Sequence, residues 1–71
     1  MNYEELANEY FNEANDLKLY IKNLRNQLDI ITIASEIKDL NSRISILYPI
    51  YLELLHTSRY ISNLKRREKN E

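Results

Sequence analysis

LDIITIASEIKDL, residues 28–40, is where the chain has to change direction. Upstream of it, apolar and aromatic residues recur in alternating steps of four and three: Tyr3, Ala7, Tyr10, Ala14, Leu17, Ile21, Leu24, Leu28 and Ile31. Steps of this kind place side chains on one stripe of a helix. Downstream, a second stripe runs through Ile37, Leu40, Ile44, Leu47, Tyr51, Leu54, Ser58 and Ile61. The two stripes are out of phase: continuing the first would put the next seam position at Ser35, not at Ile37. A continuous coiled coil absorbs insertions of three or four residues, and this displacement is neither. The helix must therefore stop and restart. The β-branched run Ile30-Ile31-Thr32-Ile33 lies at the break, and such residues are weak in helices. The spacing predicts a first helix over about 3–30 and a turn over about 31–35, with Thr32 or Ser35 as the N-cap of a second helix over about 36–67. A basic tail covers 65–71.

Asn2 is placed to cap the first helix, with Glu5 three residues on to close a capping box. Acidic residues in that first turn suit the helix dipole. Residues 1–16 carry Glu4, Glu5, Glu9, Glu13 and Asp16 and no base, whereas Arg59, Lys65, Arg66, Arg67 and Lys69 crowd the other end. Folding the helices antiparallel lays the acidic arm along the basic one, and a parallel arrangement would lose that match.

The composition points the same way. The chain has 71 residues, no glycine, no cysteine, one proline and one histidine. A β-sandwich or α/β fold without glycine for its turns is improbable, whereas long helices need few turns. One domain of this length buries only about 60% of its unfolded surface. Without cysteines or an imidazole cluster, disulfides and a metal site cannot reinforce it, which leaves oligomerisation. No cofactor is expected. The acidic N-terminus has no signal-peptide character, and no apolar run reaches the ~20 residues that span a membrane. A cytoplasmic protein without membrane contact is the expectation.

The segment 44–55, ISILYPIYLELL, carries the excess. Pro49 costs a helix interior about 3 kcal/mol, yet the stripe keeps its phase across it from Leu47 to Tyr51. One long helix kinked near Pro49 is the expectation, with a third helix beginning at Pro49 as the alternative. Ile46, Tyr48, Ile50, Leu52 and Leu55 lie off the seam, more apolar surface than a hairpin can bury. They define the expected dimer interface, and two hairpins would form a four-helix bundle. Phe11, Leu19 and Tyr20 on the first helix, with Glu9 and Glu13 nearby, are the candidate surface for a larger protein partner.

Chemistry-bearing patterns are sparse. His56-Thr57-Ser58-Arg59 matches the HxxR of tyrosine recombinases, but the rest of that catalytic domain has no room here. The glutamates of the first helix lack the inward Glu-x-x-His pairs of carboxylate metal bundles. No nucleophile–base pair is placed, so no enzymatic activity is expected. Arg59, Lys65, Arg66 and Arg67 could contact nucleic-acid phosphates, although the same charges suit a helix C-terminus.

The run 43–57, RISILYPIYLELLHT, resembles the second helix of small hairpin accessory proteins from prophages and mobile elements of Gram-positive bacteria. Some of these are recombination directionality factors, which bind a large serine recombinase and redirect it. The resemblance implies an accessory, non-catalytic role with such a recombinase as partner. Pro49 departs from the uninterrupted helix of that pattern.

Overall fold

The chain folds as an all-α hairpin, seen in a computed structural model that describes residues 2–70, with side chains described for all of these but Lys65, Glu68, Lys69 and Asn70. Helix α1 spans Tyr3–Ile30 and helix α2 spans Ala34–Asn70. The molecule is a rod of 57 × 15 × 14 Å, the length that 37 residues of α2 give at about 1.5 Å per residue.

Each stripe found in the sequence lies along the contact between the helices. Ala7, Ala14, Ile21 and Leu24 of α1 are buried, as are Leu40, Ser58 and Ile61 of α2. The remaining stripe residues, from Tyr3 to Ile31 and from Ile37 to Leu54, are half-buried. Among the described residues no large side chain is wholly enclosed, because two helices cover each seam residue from one side only.

The helix ends show how the chain makes its turn without glycine. Asn2 caps α1, its side chain accepting from the Glu5 N–H at 3.1 Å. The Glu5 carboxylate meets the Asn2 side-chain amide at 3.5 Å, rather than the Asn2 main-chain N–H of a full capping box. At the other end Ile31 turns extended, with φ −91° and ψ 134°, while its N–H still reaches the Gln27 carbonyl at 3.1 Å. The Ile33 carbonyl then accepts from the N–H groups of Glu36 and Ile37, each at 3.1 Å. The turn is thus residues 31–33, and α2 starts at Ala34, one residue ahead of Ser35. Neither Thr32 nor Ser35 holds the cap position. Ile33 does, with no side-chain acceptor to offer, so closure of the hairpin overrides capping preference here.

Helix α2 runs through Pro49 without a break, so no third helix begins there. Pro49 has no N–H to give the Ser45 carbonyl. Both residues are exposed, so water can reach the group left over. α2 also continues past the expected end near residue 67, to Asn70.

Candidate functional site: two flanks of opposite charge

The seam divides the surface of the hairpin into two flanks. At about 100° per residue, Phe11, Lys18 and Arg25 follow seam residues and fall on one side of α1. Leu6, Glu13 and Tyr20 precede seam residues and fall on the other. In α2 the same rule separates Tyr48 and Leu55 from Ile50 and Thr57. Antiparallel packing brings like side to like side. The Arg25 guanidinium lies 5.5 Å from the centre of the Tyr48 ring, on the first flank. Gln27, Glu36, Asp39 and Arg43 line a shallow recess on the second.

The first flank carries a groove of about 470 Å³, lined by Asn15, Lys18, Leu19, Ile21, Lys22, Arg25, Tyr48 and Tyr51. A smaller recess continues it through Phe11, Leu55 and Arg59, sharing Asn15, Lys18 and Tyr51. Tyr48 and Tyr51 stand 5.9 Å apart, tilted at 44°, and form an aromatic wall that Arg25 closes by a cation–π contact. Among the described residues no carboxylate lines either recess. Although the volume is that of many ligand pockets, such pockets bury most of their ligand, and a trough between two helices cannot. It suits side chains of a larger molecule.

The second flank is its electrostatic opposite. Glu9, Glu13, Asp16, Glu36, Asp39 and Glu53 fall there by helical position, against Arg43 and Arg67. Arg43 pairs with Asp39 at 3.2 Å within α2, both well exposed. Such an exposed i,i+4 pair is worth only about 0.3–0.5 kcal/mol. Apolar groups stand between these carboxylates: Tyr20, Ile46 at 65% exposure, Ile50 and Tyr60.

The residues expected to form one dimer interface are therefore divided. Tyr48, Leu52 and Leu55 belong to the basic flank, and Ile46 and Ile50 to the acidic one. Leu55 is half-buried and the other four are exposed. The candidate partner surface divides likewise: Phe11 lies on the basic flank, Leu19 on its outer rim, and Glu9, Glu13 and Tyr20 on the acidic flank. Of the basic cluster, Arg59 and Arg66 fall on the first flank and Arg67 on the second, while the Lys65 side chain lies outside the described residues. Reading by distance from the seam gathered these residues, and the side of the seam separates them. Lys18, Lys22 and Arg25 are what that reading missed. Their signal was their step from seam residues, which becomes informative once the helices are antiparallel.

Among the described residues no group of three or more His, Asp or Glu side chains could hold a metal ion, and no helix is long and apolar enough to cross a membrane. No family model, curated protein or solved structure matches the chain.

Proposed function

We propose that this protein is a small non-enzymatic accessory module that acts through protein–protein contacts, first with copies of itself and then with a larger partner. The observation that carries the reading is the exposure of Ile46, Tyr48, Ile50 and Leu52 around Pro49, in a helix whose seam is already filled by α1. Water-exposed apolar groups concentrated in one segment of a rigid helix are what a helix-to-helix contact uses. Two hairpins meeting there build a four-helix layer, and a bend of α2 at Pro49 would let that layer curve. The larger partner is a protein with a helical or grooved surface. The resemblance of residues 43–57 points to a large serine recombinase, which the protein would redirect from the cytoplasm without chemistry of its own.

Sedimentation at micromolar concentration tests the first contact, with assemblies larger than one chain expected. Capture from the host, repeated with Phe11→Ala and Tyr20→Ala, tests the second. Since these residues lie on opposite flanks, loss with only one of them identifies the flank that meets the partner. Capture of no protein by either flank removes the adaptor reading.

A second reading has its own observation. Arg59 joins Lys18, Lys22 and Arg25 beside an aromatic wall, the combination that holds a single-stranded nucleic acid. Binding of this kind weakens with salt, at a log–log slope of about −0.7 per phosphate contact. No retention of a single-stranded oligonucleotide at low salt retires it.

A further inference from the structure

The two flanks favour one geometry for the self-association proposed above. A two-fold dimer sets the same patch of each copy against itself. Basic flank on basic flank would bring Lys18, Lys22 and Arg25 of one copy towards those of another. Acidic flank on acidic flank would do the same for Glu13, Asp16 and Glu53. Like charges facing one another oppose docking. A two-fold contact confined to one flank would also leave half of the exposed apolar residues in water, since Tyr48 and Leu52 are on one flank and Ile46 and Ile50 on the other.

We infer that copies of the hairpin associate head to tail, the basic aromatic flank of one seated on the acidic flank of the next. This contact, which rests on the self-association proposed above, matches charge with charge. It also sets Tyr48 and Leu52 of one copy against Ile46 and Ile50 of its neighbour, so apolar groups of both flanks are covered at once. Among the described residues, Lys18, Lys22, Arg25 and Arg59 have no carboxylate partner within the chain, and neither Glu13, Asp16 nor Glu53 has a basic one. These seven charges are thus available to a neighbour. The carboxylates that fall on the basic flank, Glu4 and Asp29, stand towards its two ends and leave its middle basic.

Area does not limit the arrangement. A stable contact needs about 800 Å² from each partner, and the rod exposes 5766 Å², enough for two such contacts on opposite sides. A contact between unlike patches leaves one basic and one acidic flank free on every pair. Growth therefore continues past two copies, to a ring if the rotation closes and to a filament if it does not.

The experiment uses two full-length variants, each blocked on one flank by a carboxylate at an exposed apolar position. Leu52→Glu blocks the basic flank and Ile50→Glu the acidic one, and both side chains are nearly half exposed. Circular dichroism should therefore give the wild-type helix content for each. In sedimentation, the wild type should exceed twice the chain mass of 8.6 kDa as concentration rises, and added salt should reverse this. Each variant alone should remain at the mass of one chain. Mixed together, they should form a one-to-one pair and stop there, because only one intact basic and one intact acidic flank remain. A wild type fixed at twice the chain mass, with no pairing of the mixed variants, overturns the head-to-tail contact and leaves the protein-contact function standing. A wild type that is monomeric throughout overturns both the contact and the self-association it rests on. If that monomer instead retains a single-stranded oligonucleotide, and Leu52→Glu releases it, the occupant of the basic flank is nucleic acid.

Discussion

The hydroxyl of Ser58 donates to the main-chain carbonyl of Ala7 at 2.9 Å, a buried hydrogen bond between residues 51 positions apart. It is possible because Ala7 carries only a methyl group, so α2 can approach the α1 backbone closely. It also solves a difficulty in the seam of α2, where a polar residue stands at a position of the apolar stripe. The second lone pair of the carbonyl takes the hydroxyl, leaving the helical bond of α1 in place.

Replacing this serine tests the closeness of the helices. Ser58→Ala keeps the size and removes the bond, and should destabilise the hairpin by about 1 kcal/mol. Ser58→Leu should cost more, about 1–3 kcal/mol, because it forces the helices apart at a tight point. Urea denaturation followed by circular dichroism separates the two. Equal stability of the leucine variant and wild type would mean that the helices do not meet closely here.

Pro49→Ala should stabilise the protein. The proline lies within a continuous helix, and alanine would restore the bond to Ser45, worth up to about 3 kcal/mol. The measured quantity is the melting temperature, which should rise. A fall would mean that Pro49 contributes to the proposed assembly.

Core and surface should respond differently to truncation. Leu24 is buried against α2, and Leu24→Ala should cost about 2–5 kcal/mol, enough to unfold so thin a structure. Ile46→Ala, at an exposed site, should leave the melting curve of the dilute monomer within about 0.5 kcal/mol. Its effect should fall on the proposed association instead, read as a shift in the concentration at which larger species form.

Orientation is read by distance. Nitroxide labels at Asn12 and Ser62 sit near the open end of an antiparallel pair, in keeping with the nearby bond between Ala7 and Ser58. They should be close, whereas a straight rod at 1.5 Å per residue would separate them by roughly 75 Å.

The two helices and their seams were legible in the sequence because burial follows spacing: a residue on the 4-3 stripe has no other place to go. The Asn2 cap was legible for a similar reason, since its partner lies three residues away. The start of α2 was not. Capping preference favours Thr32 or Ser35, yet the position is held by Ile33, fixed by where the two seams must meet. The flanks were hidden for a different reason. Phe11 and Tyr20 are both aromatic and both off the seam, and which of them faces Arg59 depends on how the second helix is laid against the first.

The turn has a consequence outside the folded state. Ile31 closes α1 in an extended conformation, and among the described residues none has a positive φ. A hairpin built this way has no use for glycine, and the chain contains none. Glycine is the residue that most enlarges the number of conformations open to a denatured chain. Its absence here narrows that population, so each residue has less disorder to surrender on folding. For a structure in which no described large side chain is wholly enclosed, part of its endurance thus comes from how little freedom the unfolded chain has.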